Sequence, residues 1–238
     1  MSSATVLSYN DRAVLGALFD PEASLSARET TINQSTEQLP KHTLAWQKTE
    51  QEAILLLNTE RPSEQLIRDA IGKLTNIINH NPGYASAYAN RAQAYRLLSD
   101  ASSNTDILLS ILADLETAID KASPASPSAQ VSEQNGRVLS QAYTHRGYLF
   151  FRAATSSQHW NELVSLKLPS LCGVTEPSQF EEMANRDFGI AGAYGSEIAR
   201  QLAVKTNPYA RLCGQIVKEA LQREIATYYG HSGDAVAP

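Results

Sequence analysis

A chain of 238 residues with 42% hydrophobic side chains is long enough to bury an extended core, and its 12 glycines and 10 prolines leave room for long helices and exclude the low-complexity classes. The formal charge of -5, from 20 Lys+Arg against 25 Asp+Glu with no basic run, argues against a general phosphate-binding surface, so nucleic acid is not an expected partner. Cys172 and Cys213 stand far apart, which predicts reduced thiols in a cytoplasmic or nuclear protein and not a disulfide scaffold.

Residues 1–9 lack the positive start and apolar core of a signal peptide, and no run approaches the roughly 18 apolar residues of a membrane span. A soluble protein with no membrane partner is expected. Asn10 is a good helix N-cap, Asp11 suits the positive helix end, and Val14, Leu15, Leu18 and Phe19 form an apolar stripe ended by Asp20-Pro21. A helix this short must dock to persist, either against the first helical pair or in a partner-binding groove or surface. Residues 22–41 show no sustained period and read as a flexible linker, so 1–41 form an N-terminal extension.

The region 42–206 reads as three helical pairs. Helices are expected at 43–57, with Trp46, Ala53, Leu56 and Leu57, and from Pro62-Ser63 to about 79. A second pair follows at 84–99 and 106–121, its turn expanded at 100–104. After a Pro/Ser/Ala loop at 123–130, a long helix spans about 131–154, and its partner begins where Ser178 and Glu181 suggest a capping box and carries Ala184, Phe188 and Ala191. The pairs therefore run at about 43–82, 84–122 and 131–195.

The insertion at 155–177 carries Trp160, Leu163, Val164, Leu166 and Leu168, too much apolar mass for a polar loop. It predicts a short helix covering a neighbouring hydrophobic surface, or an exposed partner patch. From Asn207, with Pro208 at the first helical position, a helix to about 225 has one apolar face of Leu212, Ile216, Val217, Ala220 and Leu221, which reads as a cap on the last pair. Residues 229–238 read as a tail, so 207–238 form a C-terminal unit.

The period is set by residues 81–95. Pro82 ends one helix, while Tyr88, Ala92 and Tyr95 fall at large, small, large positions on the next. Ala70, Leu74 and Ile77 hold the matching positions of the preceding helix. This is the rhythm of tetratricopeptide repeats, with a period of about 34 residues. Internal echoes support it: Tyr88-x-x-Arg91-Ala92 recurs as Tyr143-x-x-Arg146-Gly147, and Asp114-Leu115-x-x-Ala118 as Asp187-Phe188-x-x-Ala191. Ala92 and Gly147 are small where helices approach, and Leu115 and Phe188 fill the adjacent space. The expected fold is an all-α tetratricopeptide-repeat superhelix of three hairpins.

Arg91 with Asp114 and Arg146 with Asp187 are predicted ion pairs within repeats, because a partly buried guanidinium needs a partner. Gly189, Gly192 and Gly195 follow a helical pattern and precede no Lys-Ser/Thr, so close packing or fraying near Gly195 fits better than a phosphate loop. His42, His80, His145, His159 and His231 show no metal spacing, and no nucleophile elbow occurs; neither a metal site, a cofactor nor catalytic residues are expected. The groove-facing positions are Ala89, Asn90, Gln93 and Arg96 in the second pair, and Gln141, Thr144, His145, Tyr148 and Arg152 in the third. These groups suit a segment of a partner protein, or else form only a solvated face.

Asn10-Asp11-Arg12-Ala13-Val14-Leu15, Asn90-Arg91-Ala92-Gln93-Ala94, Asp187-Phe188 and Asn207-Pro208-Tyr209-Ala210-x-Leu212-Cys213 resemble the tetratricopeptide repeat protein 36 family, over nearly the whole chain. The resemblance implies a non-enzymatic interaction adaptor or co-chaperone associated with heat-shock chaperones, and a link to tyrosine catabolism. Chaperone-binding repeats often grip a terminal carboxylate with asparagines, lysines and an arginine. Asn90 matches the second-repeat asparagine, but Gln141 and His145 replace the third-repeat lysine and arginine, and Glu50 and Ile54 are wrong in charge and polarity. A chaperone is therefore expected to bind in another mode. The alternative is a structural subunit of an assembly, held through 155–177 or the N-terminal helix.

Overall fold

Apolar side chains recur every three or four residues along most of this chain, and a computed structural model, describing residues 32–33, 41–99, 105–125 and 129–231, has the helices that this spacing requires. Among the described residues the order is β1 (Ile32–Asn33), α1 (Lys41–Leu57), α2 (Glu64–His80), α3 (Ala85–Ser99), α4 (Thr105–Ala122), β2 (Val131–Ser132), α5 (Glu133–Thr155), α6 (Ser157–Ser165), a 3-10 turn at Pro169–Leu171, α7 (Pro177–Ala193), α8 (Glu197–Thr206) and α9 (Pro208–His231). The helix expected at 10–19, the turn at 100–104 and the residues after 231 lie outside the described residues.

The architecture is all-α. Helix α1 packs on α2, α3 on α4 and α5 on α7, and the pairs stack through α2 on α3 and α4 on α5. Ser63 starts α2 by accepting the Leu66 N–H, and Ala70, Leu74 and Ile77 are fully buried against Ala53 and Tyr84. The larger core runs from Ala92 and Leu115 through Ala142 to Phe180 and Phe188. Gly147 shows why one position must be small: a Cβ there would lie 3.0 Å from the Phe188 ring and 3.2 Å from the Asp187 Cβ. Its hydrogen lets α5 lie directly on α7.

One extended pairing falls in the stretch expected to be a flexible linker. Ile32 and Asn33 pair in parallel with Val131 and Ser132. That pairing holds residues 131–132 extended, so α5 begins at Glu133, where Ser132 Oγ accepts the Asn135 N–H at 3.2 Å.

The 155–177 insertion covers the core. Trp160 meets Phe180 edge-on at 5.2 Å between ring centroids, and Leu163 and Leu171 are buried. Helix α7 starts earlier than the Ser178/Glu181 box predicts. Glu176 is the cap, Pro177 takes the first helical position that its ring favours, and Gln179 Oε1 accepts the Glu176 N–H at 3.0 Å.

The end of α7 also differs from the expected fraying. Gly195 has φ 96°, and the Ser196 N–H bonds the Ala191 carbonyl at 3.1 Å while the Gly195 N–H bonds Gly192 at 3.0 Å. This is a closed Schellman turn that only a residue without a Cβ forms cheaply. Ser196 Oγ then accepts the Ala199 N–H at 3.2 Å and opens α8, a helix the sequence pattern does not announce as a separate element. Asn185 fastens α8 to α7 through the Ala203 carbonyl at 2.6 Å and Thr206 Oγ1 at 3.2 Å. Covering the last pair thus falls to α8. The expected capping helix, α9, leaves Ile216, Val217, Leu221 and Ile225 exposed.

Candidate functional site

Gln141, Thr144, His145 and Tyr148 stand at i, i+3, i+4 and i+7 on α5, which places them on one helix face. With Gln93 and Arg96 of α3 they line an open cleft of about 720 Å³. Its far wall is formed by Tyr194, by Ser196 and by Ile198 and Leu202 of α8. Sequence reasoning missed that wall; the usable signal was Ser196-Glu197, a cap residue followed by an acid, after a helix-closing glycine.

The lining is mixed in character. Tyr148 is 43% exposed and Ile198 is 69% exposed, so large apolar surfaces face the opening. His145 is buried at the base and its Nε2 has no hydrogen-bond partner. Burial, reinforced by the nearby Arg96 charge, pushes its pKa down to about 4, so the imidazole is neutral at physiological pH. Thr144 is internally satisfied, its hydroxyl donating to the Ser140 carbonyl at 2.7 Å.

Three of the expected groove residues lie elsewhere, and the first, Ala89, is buried in the core. Arg152 belongs to a smaller pocket of about 370 Å³ with Arg96 and His159, contacts the His159 ring, and has its guanidinium 5.9 Å from the Tyr148 ring centre. Asn90 is engaged inside the fold: its amide donates to Glu50 Oε1 at 2.8 Å, and Gln141 donates to its Oδ1 at 3.4 Å. The same buried Glu50 accepts the Tyr84 hydroxyl at 2.8 Å. Burial and the Glu50 charge raise the Tyr84 pKa, so the phenol stays a donor. A carboxylate of the chain itself therefore sits on the asparagine that matches a carboxylate clamp.

The paired charges lie behind the groove. Arg91 donates to Asp114 at 2.8 and 2.7 Å and to Thr75 Oγ1 at 3.1 Å, with the Tyr88 and Tyr95 rings 5.7 and 6.0 Å from its guanidinium. Arg146 donates to Asp187 at 2.7 and 2.9 Å, with Tyr143 and Phe150 at 5.2 and 5.8 Å. These are two copies of one fork-on-carboxylate arrangement between aromatic rings. The Asp114 bond holds the Arg91 pKa up. Burial raises the Asp187 pKa against the opposing pull of Arg146.

Among the described residues no group of three or more His, Cys, Asp or Glu is placed to hold a metal ion, and no helix is long and apolar enough to cross a membrane. No family model and no solved structure matches the chain. Several known proteins do. The L-tyrosine degradation gene cluster protein hmgX of Aspergillus fumigatus is 39% identical, the alignment covering 92% of this chain and 93% of that protein. Tetratricopeptide repeat protein 36 of Danio rerio is 32% identical over 91% of this chain and 94% of its own length. The Homo sapiens protein of the same name is 27% identical over 89% and 93%.

Proposed function

The chain belongs to the tetratricopeptide repeat protein 36 family, and from that premise we propose that it is a non-enzymatic adaptor holding a segment of a partner protein in the cleft between α3, α5 and α8. The observation that carries this reading is the convergence of Gln93, His145 and Tyr148 from neighbouring pairs on one opening whose apolar walls are left uncovered. Such an adaptor acts by recruitment and needs no cofactor. The name of the Aspergillus relative links that protein to L-tyrosine degradation, and the partner proposed here is a protein of the same process.

In the co-chaperone form of this reading the partner is a heat-shock chaperone. Glu50 on Asn90 argues for contact through the cleft and against capture of a terminal carboxylate. The alternative of an assembly subunit held through 155–177 is weakened, because Trp160 and Leu163 face Phe180 and the core.

Affinity capture from native lysate tests the proposal, comparing wild type with Gln93→Ala/Tyr148→Ala after both show equal helicity and melting temperature. A partner lost from the variant alone supports cleft recognition. Equal recovery of all partners overturns it.

A further inference from the structure

The insertion that covers the core also helps to enclose a second pocket. It lies between α3, α4, α5 and α6 and holds about 370 Å³, at the small end of the roughly 300–1,000 Å³ of ligand pockets. Leu108 and Ile111 of α4, Leu149 of α5 and Leu163 of α6 give it an apolar wall, and the last three are buried. A cavity of this size suits one small molecule better than a stretch of polypeptide.

Two opposite charges line the same pocket without neutralising each other, Arg152 of α5 and Glu162 of α6. The Arg152 guanidinium donates to His159 Nε2 and lies 5.9 Å from the Tyr148 ring centre, so an imidazole nitrogen holds it and no carboxylate does. Glu162 accepts the Gln158 amide at 3.0 Å, again a bond to an uncharged group. Neither side chain forms an ion pair among the described residues. His159 stands between them: it touches Arg152 and comes three residues before Glu162 on α6, the spacing that puts two side chains on one helix face. Arg96 also lines the pocket but is already engaged, its Nε donating to Gln93 Oε1 at 3.3 Å.

Each feature restricts the ligand. A guanidinium that no carboxylate occupies is a fork-shaped site for one. A glutamate beside it disfavours a simple anion and attracts an ammonium group. The apolar wall adds a preference for a large hydrocarbon or aromatic group. An α-amino acid carries carboxylate, ammonium and side chain on one carbon, which matches the adjacency of these three surfaces. A phosphate or dicarboxylate would meet Glu162, and a simple amine would meet Arg152.

We propose that the α3–α4–α5–α6 pocket binds a free α-amino acid with a large apolar side chain. Its carboxylate lies on Arg152, its ammonium on Glu162 and its side chain against Leu108, Ile111 and Leu149. This goes beyond the adaptor reading and does not rest on it. The two sites adjoin where the Arg152 guanidinium approaches the Tyr148 ring.

Ligand-observed NMR titration of the full-length chain tests the assignment. The probes are L-phenylalanine and L-leucine, against glycine, 3-phenylpropionate and phenethylamine, which lack the side chain, the ammonium and the carboxylate in turn. Both complete amino acids are expected to bind saturably, and each stripped probe at least about tenfold more weakly. Arg152→Gln is expected to weaken L-phenylalanine about tenfold while leaving phenethylamine unchanged. Glu162→Gln is expected to weaken L-phenylalanine while improving 3-phenylpropionate. Such crossed responses require charge recognition, because damage to the fold would weaken every probe alike. If Arg152→Gln melts early, Glu162→Gln and the stripped probes on wild type decide the matter. Failure of both amino acids to bind saturably overturns the proposal. So does any stripped probe that binds as tightly as L-phenylalanine, or binding that both variants leave unchanged. None of these outcomes touches the adaptor reading, whose variant changes Gln93 and Tyr148 outside this pocket.

Discussion

Asp187→Ala asks how much of the fold depends on the pairs between its helices. The Asp187 side chain is 4% exposed and accepts two bonds from Arg146, whose own side chain is 21% exposed. Truncation removes both acceptors and leaves a guanidinium held between Tyr143 and Phe150 with little water. Stranding one member of a buried pair costs about 3–5 kcal/mol, and the partial exposure of Arg146 puts the expectation near the lower end, about 3 kcal/mol. That is a large part of a total stability on the order of 5–15 kcal/mol. The contrast is Arg68 with Glu64, both more than half exposed, where Arg68→Ala is expected to cost at most about 1 kcal/mol. Replacing both charges, in Arg146→Met/Asp187→Leu, removes the stranded charge and is expected to recover most of the loss. Urea unfolding followed by helicity measures all four chains, with an unchanged slope as the check that the unfolded state is not altered. A cost below about 1 kcal/mol for Asp187→Ala refutes the burial argument. So does a double variant as unstable as the single one.

Gly147→Ala and Gly189→Ala are expected to move stability in opposite directions. The first pushes a Cβ to 3.0 Å from Phe188 and costs about 1–3 kcal/mol, more than its helix-propensity gain; the second meets nothing within 4 Å and gains roughly 0.5–1 kcal/mol in the same unfolding assay. His145 makes stability acid-sensitive. Its folded pKa of about 4 lies below the ordinary 6.5, so the unfolded chain binds the proton first, and stability present above pH 6.5 is lost as pH falls toward 4. The loss is on the order of 3 kcal/mol, and His145→Gln is expected to flatten that part of the stability profile. Ile216→Asp and Leu221→Asp on α9 are each expected to shift stability by less than about 0.5 kcal/mol, since both positions are exposed; a large drop in melting temperature would mean that face is covered.

Repetition made much of the fold readable. Ala70, Leu74 and Ile77 are fully buried because the offsets that pack one repeat pack the next, and the Arg-Asp spacing recurs for the same reason. What escaped depends on contacts between segments. Helix α8 hides behind Gly189, Gly192 and Gly195, whose low helix propensity reads as weakening, although only Gly195 ends the helix, through its positive φ. An apolar stripe on α9 states that a face favours burial, but not whether another element reaches it. Helix α8, already fastened to α7 by Asn185, occupies the place where that cover was expected. The same hidden helix supplies Ile198 and Leu202, so the far wall of the cleft could not be anticipated from α3 and α5 alone.

Asn90 shows how one contact across the fold redirects the functional reading. In sequence it matches a carboxylate-gripping asparagine, with Glu50 as an isolated mismatch. In the fold the two are one feature, joined at 2.8 Å, with Tyr84 completing the shell around the buried acid. A second carboxylate brought to Asn90 would stand close to Glu50. Two like charges about 4 Å apart repel by about 4 kcal/mol at the effective dielectric of a protein surface. A hydrogen bond to a charged group returns only about 1.5–3 kcal/mol. Repulsion wins, so the chain's own acid closes that position to a terminal carboxylate.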